Sequence, residues 1–82
     1  MKHTRVKVCG ITRVEDALNA VESGADAICF VFYEKSPRYI TVEKAVEIAK
    51  SLPPFVSIVA LFVNATDEEV RSVLDKIGRA HV

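Results

Sequence analysis

The sequence predicts an α/β protein in which a parallel sheet is built from successive βα units. Three observations carry that expectation. Short, densely apolar segments alternate with longer stretches whose apolar residues recur at helical spacing. Two of the helical stretches open on a Thr-x-x-Glu pair, the pattern of a capping box. The segment Ala27-Ile28-Cys29-Phe30-Val31-Phe32 is apolar almost without interruption, as expected of a strand buried on both faces, which is the habit of parallel sheets.

The elements follow in order. Arg5 to Cys9 reads as a first strand, with Val6 and Val8 on one face and Lys7 and Cys9 on the other. Thr12 and Glu15 then propose a cap, and Val14, Ala17, Leu18 and Val21 form one stripe of a helix from about Arg13 to Ser23, closed by Gly24. Asp26 is a turn residue ahead of the second strand, Ala27 to Phe32, in which Cys29 is a packing residue. The connection Tyr33-Glu34-Lys35-Ser36-Pro37-Arg38-Tyr39-Ile40 is long for a βα loop, and extra length at the ligand-binding side of a sheet often serves a site. Thr41 caps a second helix with the stripe Val42, Ala45, Val46, Ala49 and then Leu52. Pro53-Pro54 stops it. Val56 to Phe62 is the third strand, and Val63-Asn64-Ala65 turns the chain. Thr66 and Glu69 open a third helix whose stripe is Val70, Val73, Leu74 and Ile77, ending at Gly78. Arg79-Ala80-His81-Val82 then reads as the stub of a fourth strand.

Composition narrows the function classes. Eleven basic residues balance eleven acidic ones over 82 residues, which gives no support to a nucleic-acid partner. The two cysteines, Cys9 and Cys29, make neither a disulfide framework nor a zinc-ligand spacing. The N-terminal residues lack the apolar core of a signal peptide, and no apolar run reaches the length of a membrane span. A reduced, cytoplasmic setting is the default expectation, with no membrane partner. The first strand is not followed by a Gly-x-Gly-x-x-Gly turn, so a dinucleotide fingerprint is absent.

Cys9 is the candidate for chemistry, because ligands bind at the C-terminal ends of parallel strands. The competing reading makes it one more small buried hydrophobe. Lys7 shares its face, either as an electrostatic member of a site or as part of a polar interior. A thiol with a reference pKa of about 8.5 gains thiolate character if an ammonium approaches it.

The residues also carry a family resemblance. Lys7-Val8-Cys9-Gly10-Ile11-Thr12, Glu15-Asp16-Ala17, Gly24-Ala25-Asp26-Ala27, Phe30-Val31-Phe32, Lys35-Ser36-Pro37-Arg38-Tyr39 and Leu61-Phe62-Val63-Asn64 together resemble phosphoribosylanthranilate isomerase across essentially the whole chain. The resemblance implies a TIM (β/α)8 barrel of which residues 1–82 are an N-terminal βαβαβα segment. It implies an enzyme of tryptophan biosynthesis that isomerises N-(5-phosphoribosyl)anthranilate, a phosphorylated sugar-anthranilate substrate, by an Amadori rearrangement without cofactor or metal. Carried over, Cys9 is the general base and Arg38 the cation facing the anthranilate portion, with Lys7 beside them. The family's general acid and phosphate site belong to later strands and loops. Asp16, Asp26, Asp67 and Asp75 do not match that acid. At Cys29 the family more often has glycine.

Three βα units leave sheet edges unpaired, so the expected partners are copies of the chain or the missing part of the barrel. By itself the 82-residue chain is expected to be inactive, and the alternative function is a βα fragment serving only in folding and assembly. A Schiff-base aldolase or synthase using Lys7 is the remaining enzyme class.

Overall fold

The computed structural model describes residues 4–81. Three parallel strands stand in the order β1-β2-β3, with β1 at Lys7–Cys9, β2 at Ala27–Val31 and β3 at Ser57–Leu61. Helices α1 (Val14–Glu22), α2 (Val42–Ser51) and α3 (Asp67–Ala80) follow the strands in turn. The predicted βα alternation is therefore observed, with each strand at or inside its expected limits.

The register decides which side chains share a face. Lys7 pairs with Ala27, Val8 with Ile28 and Cys9 with Cys29; across the other seam Ile28 pairs with Ile58, Cys29 with Val59 and Phe30 with Ala60. Because side chains alternate along a strand, Ile28 and Phe30 leave one face and Cys29 and Val31 the other. The Ile28 and Phe30 face carries the core, where Ala17 of α1, Ala45, Ile48 and Ala49 of α2 and Ile77 of α3 pack against it. Among the helices, α2 lies against both α1 and α3, and the small residues at 45 and 49 keep its buried face narrow. Val8 and Ile58 complete that face. The face bearing Lys7 and Cys9 has no helix of the described residues over it.

Several local readings are corrected. β1 is only three residues long, and Val6 is 47% exposed. Its backbone is held by Asp26 and Ala27: the Val6 N–H donates to the Asp26 carboxylate at 2.8 Å, and the Val6 carbonyl accepts from the Asp26 N–H at 2.8 Å and the Ala27 N–H at 3.2 Å. Thr12 does not cap α1. Arg13 occupies the N-cap position without a side-chain cap, and its guanidinium instead forms a fork with Asp16 at 3.1 and 3.2 Å. The caps at Thr41 and Thr66 are formed: Lys44 N–H donates to Thr41 Oγ1 and Glu69 N–H to Thr66 Oγ1, each at 3.2 Å.

The stub of a fourth strand is overturned. α3 runs through Gly78 to Ala80, with His81 at its C-cap. Gly78 stays in helical backbone, in contrast to Gly24, which closes α1 at φ 102°. Arg79 pairs with Asp75 one turn back at 3.3 Å, and His81 Nε2 lies 2.8 Å from the Pro53 carbonyl. A carbonyl can only accept, so Nε2 carries the proton there. Val82 lies outside the described residues.

Candidate functional site

The C-terminal end of β1 positions the candidate thiol. Cys9 is the strand's last residue and is exposed, whereas Cys29 beside it is 2% exposed. Among the described elements Cys9 is not a packed core residue. Gly10 follows with φ 80°, a left-handed conformation that suits a residue without Cβ. Its N–H donates to the Cys29 carbonyl at 3.1 Å, which carries the β1–β2 ladder one residue past Cys9.

The loop after β2 brings Arg38 to the same place. Three short-range bonds fold it: Ser36 N–H to the Tyr33 carbonyl at 2.9 Å, Tyr39 N–H to the Ser36 carbonyl at 3.1 Å, and Arg38 N–H to Ser36 Oγ at 3.1 Å. The last is a serine turn of the kind that hydroxyls make two residues along the chain, and Pro37 between them fixes its own φ. Ile40 N–H then returns to the Val31 carbonyl at 3.1 Å, with Tyr39 bridging Val31. The Ser-Pro-Arg sequence is thus a compact reversal with a physical purpose. It delivers the arginine stem against Gly10. A Cβ placed on Gly10 would collide with Arg38 Cδ and lie 3.0 Å from Nε and 3.2 Å from Cγ. The turn glycine therefore serves twice, once for its φ and once as the floor under Arg38.

Lys7 lies two residues before Cys9 on the same face and is exposed. Its charge reaches the Cys29 thiol, where it favours ionisation. That influence is outweighed. Burial, followed by a hydrogen bond with the Cys9 thiol and the charge of Cys9, pushes the Cys29 thiol up to about 11. Lys7, Cys9 and Cys29 thus form one neighbourhood, with Arg38 entering from above Gly10.

A separate cleft of about 360 Å³ lies between the loops that follow β2 and β3, lined by Phe32, Tyr33, Lys35, Tyr39, Phe62 and Asn64 among others. Phe32 and Phe62 stack there with centroids 5.4 Å apart. Cys9, Lys7 and Arg38 are not among its walls. Cys9 and Lys7 stand on the sheet face opposite the one that carries the helix-packed core. Among the described residues, no group of three or more His, Cys, Asp or Glu side chains converges to hold a metal ion. No helix among them is long and apolar enough to cross a membrane.

Sequence reasoning did not find the contact of Gly10 with Arg38 or the pairing of the two thiols. The first depends on a chain reversal and the second on strand register.

Comparison with known proteins bears on this geometry. The sequence pattern described as N-(5'phosphoribosyl)anthranilate (PRA) isomerase matches residues 6–82. An N-(5'-phosphoribosyl)anthranilate isomerase of Pseudomonas fluorescens (strain Pf0-1) is 60% identical over 77 residues, covering 94% of this chain and 38% of that protein. The crystal structure of phosphoribosyl anthranilate isomerase from Thermotoga maritima superposes with a TM-score of 0.90 at 54% identity, over 93% of this chain and 37% of that one. A second crystal structure, of a phosphoribosyl anthranilate isomerase in complex with reduced 1-(o-carboxyphenylamino)-1-deoxyribulose 5-phosphate, also gives 0.90 and 54%, over 93% of this chain and 39% of that one. The chain spans a little over a third of the length of the relatives it matches.

Proposed function

The chain belongs to the N-(5'-phosphoribosyl)anthranilate isomerase family, and from that premise we propose that it supplies the base-bearing strand and the carboxylate-binding arginine of an aldose–ketose isomerase. Its fold class is α/β, the TIM (β/α)8 barrel, of which the chain holds three βα units. In this reading residues 1–82 are the N-terminal units of a single barrel domain. Further strands extend the free edge of β3 and close over the face that carries Cys9. Those later units provide the general acid and the phosphate grip, and the 82 residues alone do not turn over substrate. A second copy of the chain is the other candidate for covering that face. The setting is cytoplasmic.

The substrate is N-(5-phosphoribosyl)anthranilate and the product 1-(2-carboxyphenylamino)-1-deoxyribulose 5-phosphate, in tryptophan biosynthesis. An aldose-to-ketose rearrangement requires a proton delivered to the ring oxygen as the sugar opens, and one removed from C2 of the resulting imine. Cys9 takes the C2 proton. Arg38 presents a planar fork to the anthranilate carboxylate, a geometry lysine does not reproduce. Lys7 contributes positive charge toward the same anionic substrate. No step calls for a cofactor or metal.

The observation that supports this reading best is the approach of Arg38 to Gly10, because it sets a carboxylate-binding side chain beside the exposed thiol. Steady-state kinetics on the full-length protein test it. Cys9→Ala should lower kcat by roughly 10²-fold or more, the usual worth of a general base, with folding intact by circular dichroism. Arg38→Ala should act mainly on KM, since its partner is remote from the bonds that change. A folded Cys9→Ala protein with near-wild-type kcat would remove the base from its role.

A further inference from the structure

We propose that Cys9 and Cys29 form a peroxide-sensitive dithiol, a modification site in which Cys9 is oxidised first and Cys29 resolves it to a reversible cross-strand disulfide. The two residues are direct Cα partners in the parallel register. Adjacent strands lie about 4.7–4.9 Å apart, and disulfides span Cα separations of about 4.4–6.8 Å. Both side chains leave the same face, since directly paired residues of parallel strands share it. The bond from Gly10 N–H to the Cys29 carbonyl fixes the strands on the far side of the pair, so closing the sulfur–sulfur bond needs side-chain rotation and no strand slip. These are also the chain's only two cysteines.

The pair is asymmetric in a way that assigns roles. Cys9 is exposed at the C-terminal end of β1, the side from which substrate reaches it in the proposed barrel, and Cys29 is buried, so an oxidant entering there meets Cys9. Hydrogen peroxide transfers one oxygen to the Cys9 sulfur: the O–O bond breaks, an S–O bond forms, and water leaves, giving the sulfenic acid. The Cys29 sulfur then attacks that sulfenic sulfur. The S–S bond forms, the S–O bond breaks, and the departing hydroxide takes the Cys29 proton as a second water. Two thiols have lost two electrons and two protons, and one peroxide has become two waters. The high pKa of Cys29 keeps it a neutral thiol at pH 7, which preserves it from direct attack. Its fixed position beside Cys9 compensates for low intrinsic reactivity. Strained or accessible disulfides are the readily reduced ones, and a bond between directly paired strands at a sheet's C-terminal end fits that class.

The loss of turnover that oxidation should cause rests on the proposed role of Cys9 as base; the cross-link itself does not. The full-length protein, freed of reductant, is treated with hydrogen peroxide, its remaining thiols are alkylated, and its peptides are weighed. The expected result is a peptide pair joined through Cys9 and Cys29, with turnover lost and then restored by dithiothreitol. In Cys29→Ala, folded by circular dichroism, Cys9 should proceed to sulfinic or sulfonic acid and dithiothreitol should restore nothing. A linked pair with unchanged turnover upholds the dithiol and rejects Cys9 as base. Folded wild-type protein in which Cys9 is over-oxidised while Cys29 stays a free thiol overturns the proposal, as does equal recovery of wild type and Cys29→Ala.

Discussion

Gly10→Ala separates two effects that a single side chain would superimpose. The backbone there has φ 80°, and placing an L side chain in the left-handed region costs about 1–2 kcal/mol. The new methyl would also collide with Arg38 Cδ and press on Nε at 3.0 Å and Cγ at 3.2 Å. Those atoms belong to a flexible stem, so the arginine swings away and the sheet stays intact. Gly24 offers the matched control: its φ is 102°, and a Cβ there meets nothing within 4 Å. Gly24→Ala should therefore carry the conformational cost alone. Both alanine variants should lose stability to a similar degree in urea unfolding, but only Gly10→Ala should disturb substrate binding. If Arg38 bonds a carboxylate, losing a charged hydrogen bond worth about 1.5–3 kcal/mol raises KM by roughly 10- to 100-fold at 1.4 kcal/mol per decade. The assay is steady-state kinetics on the full-length protein, repeated in an Arg38→Ala background. There Gly10→Ala should add almost nothing to KM, because the interaction it disturbs is already gone. An unchanged KM in folded Gly10→Ala, or the same fold-change in both backgrounds, would refute the coupling of turn glycine to arginine.

The other predictions concern stability and protonation. Asp26→Ala removes the acceptor of the Val6 N–H and should cost about 1.5 kcal/mol, read as a lower urea midpoint at unchanged slope; Asp26→Asn should recover part of it. Thr66→Ala strips the cap of α3, where the hydroxyl accepts from Glu69 N–H and donates to the Glu69 carboxylate at 3.1 Å. About 1 kcal/mol should be lost, and Thr66→Ser should retain it. The Asp16 carboxyl is held below the ordinary carboxylate value by its hydrogen bond and charge interaction with Arg13. A lowered folded pKa means that the pair stabilises above the unfolded pKa and is lost as pH falls through the folded one. Carboxyl NMR titration should give Asp16 a depressed midpoint that returns to the ordinary range in Arg13→Ala.

The architecture was legible because its signals are local and mutually consistent. Thr41 and Thr66 cap as predicted, and Ala27 to Val31 is a half- to fully buried strand as its composition requires. Thr12 carries the same spacing to Glu15 and fails, because Arg13 engages Asp16 and lies 3.8 Å from Glu15. The helix stripes were correct in period but displaced in centre. Ile48 is fully buried and was not in the predicted stripe, while Leu18 and Leu74, which were, are 42% and 49% exposed. Periodicity gives the width of an apolar face, and only the packed neighbours decide which part of it is covered. Gly78 failed as a stop because a glycine ends a helix only where the chain turns left-handed, and Asp75 with Arg79 favours continuing it. Cys9, Lys7 and Arg38 were identifiable by residue type and motif. Their mutual placement was not, since the Arg38 approach depends on bonds within 33–40 and the Cys9–Cys29 pairing on a register that no local pattern encodes.

On the proposed function, the two ends of the sheet divide stability from chemistry. At the N-terminal end Asp26 joins all three strands. It exchanges two hydrogen bonds with Val6, and its carbonyl accepts the Ser57 N–H at 3.0 Å. At the C-terminal end the β1–β2 ladder stops at Gly10, leaving an exposed thiol, a positive-φ turn and an arginine whose loop is folded by its own short-range bonds and whose stem rests on Gly10. A rigid lower end lets the upper end carry groups whose positions matter more than their contribution to folding. Hence Asp26→Ala should move unfolding and leave KM and kcat of the remaining folded protein near wild type. Arg38→Ala should move KM and leave unfolding unchanged. Finding the reverse would mean that the loop of 33–40 holds the sheet together, and that the division between the two ends is not a property of this fold.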